Sequence, residues 1–262
     1  MVKIHPTAII QKGAELDEGV EIGPYCVIGP NVVVGSSSKI KSHTVINGNT
    51  EIGKNNIFYQ FSSIGEAPQD KKYSNESTKL VIGNNNTIRE FCTFNRGTVQ
   101  GNGLTELGNN NWIMAYVHLA HDCKVGDNTI FANNAQLAGH VVVKNWAILG
   151  GFTNVHQYCK IGDHSMIGMT TRLTQDVTPF TIVSGNPPVA HGVNIEGLRR
   201  RGFKDKDLLL IRKAYKILYK SGLTLDEAKI ELKDLESKNV DSQEHIKIIS
   251  NFLKEISRGI VR

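Results

Sequence analysis

Aromatic side chains are scarce in this 262-residue chain, at 7 % of the total, which argues against a core of packed rings. No apolar run approaches the roughly 18 residues that cross a bilayer, so no membrane-spanning helix is expected. The opening MVKIHPTAII lacks a basic stretch followed by an apolar one, so no secretory leader is expected. A strong excess of either charge is lacking too. The net +5 is too mild to point to nucleic acid as a partner. The four cysteines, Cys26, Cys92, Cys123 and Cys159, form no CxxC pair. Their spacing argues against a zinc cluster and suits a reducing cytoplasm. The length fits one large domain, or one domain and a cap.

What is present is a repeat. Stepping by six from Ile4 meets an apolar residue every time through Ile10, Leu16, Ile22, Ile28, Val34, Ile40, Ile46, Ile52, Phe58 and Ile64. The register resumes at Ile82, Ile88 and Phe94, then runs unbroken from Leu107 to Leu173. A period of six is wrong for an amphipathic helix and right for short strands joined by tight corners. Glycine often follows the apolar residue, as at Gly23, Gly35, Gly83 and Gly108. Asn84, Asn85, Asn109, Asn110, Asp127 and Asp163 crowd the same region, and all these residues are expected to supply the positive φ of the corners. Three hexads close a coil of about 18 residues, and stacked coils bury the apolar column. The cysteines lie four residues after a column residue and therefore point inward as small core fillers. Ala8, Ala14, Val20, Ala132, Ala138 and Ala147 are assigned to the same inward row. Periodicity does not give the hand of the helix, and the usual crossover rule favours the right hand.

Two polar insertions interrupt the register, roughly Glu66–Leu80 and Asn95–Glu106, and loops on a regular solenoid are where binding is often organised. After Pro179 the texture changes. NPPVAHGVNIEGLRRRGF reads as a turn-rich junction. DKDLLLIRKAYKILYK, TLDEAKIELKDL and HIKIISNFLKEI read as helices, with Thr224 and Glu227 forming a capping box on the second. A helical cap would cover the open end of the β-helix. The division expected is a β-helical domain over 1–185 and a helical domain over 186–262.

Among nine histidines the densest patch is AYVHLAHDC, residues 115–123. The register places His118 outward and His121 at a corner, and an 18-residue step stacks His121, Gly139, Gln157 and Gln175, with His140 beside them. Glycine there leaves room between polar neighbours. Three readings of this edge stand open on the residues: general-base catalysis, a zinc site like that of the hexapeptide carbonic anhydrases, and a non-catalytic binding prism.

The segments IHPTA, IGEAPQDKKY, TIREF, RGTVQGNG, HLAHDCKVG, NNAQLAGHV, NVHQYCKIG and GVNIEGLRRRGF go further. With them the chain resembles, nearly end to end, the acyl-carrier-protein-dependent UDP-N-acetylglucosamine O-acyltransferases that open lipid A synthesis. This resemblance implies a mainly β fold, a single-stranded left-handed parallel β-helix with two external loops and a C-terminal α-helical domain. It implies transfer of an (R)-3-hydroxyacyl group from acyl carrier protein to the sugar 3-position, with the phosphopantetheine arm arriving on the co-substrate and no other cofactor or metal. It implies a cytoplasmic homotrimer in a Gram-negative-type bacterium. It makes His121 the general base and the Gly139 N–H the oxyanion donor, and Asp122 is a candidate to orient the imidazole. It assigns His118 and His140 to the sugar and phosphates, Asp70 and Lys72 to the sugar, and Gln157, Asn194, Glu196, Arg200 and Arg201 to the uridine and pyrophosphate side, with His156 among the substrate-binding residues. Arginine geometry suits phosphate oxygens.

Two positions depart from or vary within that pattern. Asn95 stands where some relatives carry histidine, and a contact to the acceptor, hydroxyl or amine, is expected to differ there. Met169 stacks over Gly151 and Asn133, at the family's chain-length ruler, and its bulk predicts a donor of about ten carbons rather than fourteen. A relative using a different acceptor, such as the N-acyltransferase of the next acylation step, typically carries an added N-terminal domain, and none fits before Ile4.

Overall fold

The six-residue column folds into strands of two to five residues. The computed structural model describes residues 1–239 and 243–262. Successive coils pair in parallel at 18-residue steps, Ile4 with Ile22 and Phe131 with Leu149. Both insertions are skipped without loss of register, so Phe58 pairs with Ile88 and Phe94 with Leu119. The strands make three faces of eleven, nine and eight strands, beginning at Lys3–Ile4, Ile9–Ile10 and Glu15–Leu16. The column residues from Ile22 to Leu173 are buried in one continuous core. Ile4, 47 % exposed, marks the open first coil. All four cysteines are free and buried. Burial pushes the thiols of Cys92, Cys123 and Cys159 up to about 12, which removes them from thiolate chemistry.

The corners differ from expectation. Positive φ falls three residues after the column residue, not on the glycine one residue after it: Tyr25 (58°), His43 (57°), Asn85 (59°) and His140 (62°) are examples. The glycines are needed for close approach instead. A Cβ on Gly83 would lie 2.6 Å from the Gly108 carbonyl oxygen, and one on Gly108 would lie 2.7 Å from that of Gly126. Asn84, Asn109, Asp127 and Asp163 are likewise not left-handed. Their side chains accept backbone N–H groups of the preceding coil, as in Asn84 N to Asn109 Oδ1 (2.8 Å) and Asn109 N to Asp127 Oδ1 (2.6 Å). Asn85 and Asn110 do take the left-handed corner. Ala132 and Ala138 leave the inward row, because they directly follow Phe131 and Leu137; the inward alanine of that coil is Ala135.

The insertions are shorter than read. Glu66, Lys79 and Leu80 belong to strands, as do Asn95 and Leu104–Leu107, so the loops proper are 67–78 and 96–103. The junction is also more ordered than turns. The strand Val189–Val193 returns antiparallel on Thr181–Ser184, and a short helix, α1 (Ile195–Arg200), follows. Then come α2 (Asp205–Lys220), α3 (Leu225–Ser237) and α4 (Gln243–Glu255). The capping box at Thr224 and Glu227 is formed. The helices bury an apolar cluster with Phe180, and Tyr219 bonds Thr178 on the last coil (2.7 Å). Asp176 secures the C-terminal tail there: its carboxylate accepts from Ser257 N (3.0 Å), and Val261 N donates to its carbonyl (2.9 Å). Among the described residues, no helix is long and apolar enough to cross a membrane.

Candidate active site

The edge between the second and third faces gathers the histidines. His140 N donates to the His121 carbonyl (3.1 Å) and Tyr158 N to that of Gly139 (3.2 Å), which is the predicted stacking. A Cβ on Gly139 would lie 2.5 Å from His121 Cε1 and 2.8 Å from its Nε2, so the imidazole fills the space that glycine leaves. His121 Nδ1 lies 2.8 Å from Asp122 Oδ2, and at that distance from a carboxylate the ring nitrogen must be the donor. His140 crosses His121 edge to face at 5.2 Å and stacks on Tyr158 at 4.5 Å.

Asp122 is the centre of this edge. Its carboxylate accepts from Thr98 N (2.9 Å) and Thr98 Oγ1 (2.6 Å), and its own N–H donates to Thr105 Oγ1 (2.8 Å). Loop 96–103 thus closes over the acid, with Gly101 so near that a Cβ would meet Asp122 Oδ1 at 2.3 Å. Burial pushes this carboxyl up, but the hydrogen bonds from His121 and Thr98 outweigh it and hold Asp122 below the usual carboxylate range. Burial lowers His118, whose Nδ1 lies 2.7 Å from Thr93 Oγ1. Burial also lowers His140, against the upward pull of Asp122 and Asp70. Asp70, from the first loop, is thus within electrostatic reach of His140. Lys72 and its neighbour Lys71 are exposed on the same loop.

The loops are tied to each other. Arg96 donates to the Gly65 carbonyl (2.6 Å) and to Tyr73 Oη (2.9 Å). Asn95 donates to the Ala67 carbonyl (2.9 Å), while its buried Oδ1 has no partner. Thr98 was not singled out from sequence, although it lies four residues after Phe94, where the repeat points side chains inward. Thr93, Arg96 and Tyr158 carried no such signal.

The other expected residues lie elsewhere. His156 and Gln157 are exposed further along the histidine edge. Asn194, Glu196, Arg200 and Arg201 sit at α1, against the third–first edge, where Arg201 meets His164. Asn194 is 3 % exposed, caps α1 by accepting from Gly197 N (3.3 Å) and donates to the His164 carbonyl (3.0 Å), which leaves one amide hydrogen and one oxygen lone pair unused. Met169, 68 % exposed, is no core residue. It follows Gly151 and Asn133 up the first–second edge, where Thr170 N bonds the Gly151 carbonyl and Phe152 N that of Asn133. Between this edge and the histidine edge lies the second face. Its outward row, His118, Gln136, Asn154 and Arg172, floors a shallow groove of about 350 Å³. For a metal, His121, Asp122 and His140 each offer one atom, all within 4.8 Å of one another. A cation there would compete with the bonds Asp122 already receives.

Residues 176–261 match the family model described as domain 2 of UDP-N-acetylglucosamine O-acyltransferase, and 1–36 and 105–139 match bacterial transferase hexapeptide repeats. Over the full length of both chains, the sequence is 56 % identical to the acyl-[acyl-carrier-protein]–UDP-N-acetylglucosamine O-acyltransferase of Burkholderia orbicola and 55 % to that of Thiobacillus denitrificans. The chain belongs to this acyltransferase family. The solved structure of LpxA from Acinetobacter baumannii is 47 % identical with a TM-score of 0.95, covering 99 % of each chain. The Francisella novicida UDP-N-acetylglucosamine acyltransferase matches at 38 % and 0.95, over 100 % of this chain and 94 % of that one. The family fold is this one, a left-handed parallel β-helix with a helical C-terminal region. None of these relatives is a zinc hydratase, and that reading finds no support among them.

The depressed Asp122 carboxyl makes a pH prediction. A carboxyl lowered on folding stabilises the fold above its unfolded value of about 3.9, and that contribution fades as pH falls through the lower folded value. Denaturant titrations of wild type and Asp122→Asn should differ at pH 7 and converge in acid. An unchanged difference down to the lowest pH at which the fold survives would contradict the assignment.

Proposed function

We propose that this acyltransferase moves an (R)-3-hydroxyacyl group from acyl carrier protein to the 3-hydroxyl of UDP-N-acetylglucosamine, the first step of lipid A synthesis. One observation carries the reading: Asp122 holds His121 Nδ1 as a donor, which leaves Nε2 as the free base beside Gly139. A sugar hydroxyl is a poor nucleophile while protonated. His121 Nε2 takes the hydroxyl proton as the oxygen attacks the thioester carbonyl carbon. The tetrahedral oxyanion takes a hydrogen bond from the Gly139 N–H, for which the described residues provide no acceptor. Collapse breaks the carbon–sulfur bond, and the departing phosphopantetheine thiolate recovers the proton from His121. Asp122 keeps the imidazole in the right tautomer and favours its transient charge.

Asp70, Lys72, His118 and His140 bind the sugar and phosphates on this reading, and Asn95 borders the acceptor position. His156, Gln157, Asn194, Glu196, Arg200 and Arg201 take the nucleotide, and Asn194 also caps α1. The arginines lie on one prism edge and His121 on another, which supports a homotrimer whose sites join edges of neighbouring copies. We assign 1–185 to the catalytic prism and 186–262 to a helical domain. Four free cysteines fit a cytoplasmic enzyme. General-base chemistry with acyl carrier protein as co-substrate needs no added metal or other cofactor.

His121→Ala should lower kcat by about 10²–10⁴-fold with an unchanged circular dichroism spectrum; near-wild-type turnover would remove His121 from the mechanism. Met169 projects at the edge where an acyl chain crossing the second face would end. The donor preferred should therefore be about ten carbons long, since one well-placed side chain discriminates chain length by 10-fold or more. Met169→Gly should shift preference toward fourteen carbons in assays against an acyl-chain series. An unmoved preference would dismiss the ruler.

A further inference from the structure

The third–first edge carries a cluster that this chemistry does not use. Trp146, His164 and Phe180 occupy its successive left-handed corners, with φ of 62°, 58° and 66°. The His164 ring stacks between the other two, at 6.0 Å from Trp146 and 5.5 Å from Phe180. His164 reaches both ends of α1. Its carbonyl accepts from Asn194, which caps the helix start. Its ring nitrogen Nδ1 lies 3.1 Å from Arg201 Nη1, and Arg201 closes the helix end. A guanidinium has no acceptor, so Nδ1 must be the unprotonated nitrogen of a neutral ring. Burial, then the Arg201 and His245 charges, hold His164 down at about 4 and keep it neutral. The same guanidinium lies 5.1 Å over the Trp146 ring.

We propose that His164 is a positioning residue: it ties both ends of α1 to the prism and fixes the Arg201 guanidinium on Trp146, oriented for the diphosphate of the nucleotide sugar. This rests on the reading of Arg201 as a phosphate contact. One Arg201 N–H is spent on His164, and the others of its five remain for phosphate oxygens. An arginine fixed before binding loses less side-chain freedom when the ligand arrives. Two other nucleotide-side groups, Glu196 and Arg200, ride on the helix that His164 anchors.

His164→Phe removes the Nδ1 acceptor and keeps the stack and the backbone carbonyl. The corner accepts phenylalanine, since Phe61, Phe91 and Phe152 adopt φ of 57–62° at equivalent corners. His164→Asn, also tolerant of positive φ, is the second variant should the first fold poorly. Steady-state kinetics against UDP-N-acetylglucosamine should show KM raised about ten- to a hundredfold, the effect of one lost hydrogen bond to a charged group, with kcat nearly unchanged. Arg201→Ala should raise KM at least as much, and the double variant should be no worse than Arg201→Ala alone. If Arg201→Ala raises KM and neither His164 variant does, the positioning role is wrong and the phosphate reading stands. If the two effects add in the double variant, His164 does not act through Arg201. An unchanged KM in Arg201→Ala overturns the phosphate reading and the proposal with it.

Discussion

Coil lies on coil in register, one strand spacing of about 4.8 Å apart, and every placement in the molecule depends on that contact. The glycines after the column residues permit it, because a Cβ at Gly83 or Gly108 would strike the backbone of the next coil. The Asn and Asp ladder from Asn84 to Asp163 answers the N–H groups the corners leave over. With the spacing fixed, a residue's offset from the column decides whether it faces the core, a face or an edge.

Each edge then carries a different part. The histidines and Asp122 share one, Met169 and Gly151 another, and α1 with Arg201 docks on the third. The two loops leave the register intact and add what a bare repeat lacks. Thr98 supplies two hydrogen bonds to a buried carboxylate, and Asn95 and Arg96 pin the loop that carries Asp70. The acid that holds His121 is thus itself held by an interruption in the repeat.

Most of the prism was legible because its period is simple. The column, the inward cysteines, the stacking of His121 on Gly139 and the Thr224 capping box all follow from offsets and local chemistry. The corner conformations are legible only in part: Asn85 and Asn110 do supply positive φ, but Gly83 and Gly108 answer steric clearance and Asn84 and Asn109 ladder bonding, while Tyr25, Phe61 and His140 also take the left-handed position. That Asn194 caps α1 is not legible, because a cap and a ligand contact call for the same amide. Thr98 and His164 make their contacts across coils, and although the repeat offset points Thr98 inward, neither partner is announced by a local pattern.

The register puts His121 and Arg201 on different edges, and on the proposed reading a site is completed between copies. Mixed assemblies of His121→Ala and Arg201→Ala chains test it directly, with activity measured before and after subunit exchange. The account predicts that two impaired proteins recover activity on mixing, because some sites take an intact His121 from one copy and an intact Arg201 from its neighbour. Mixed assemblies that form and show no recovery would contradict it.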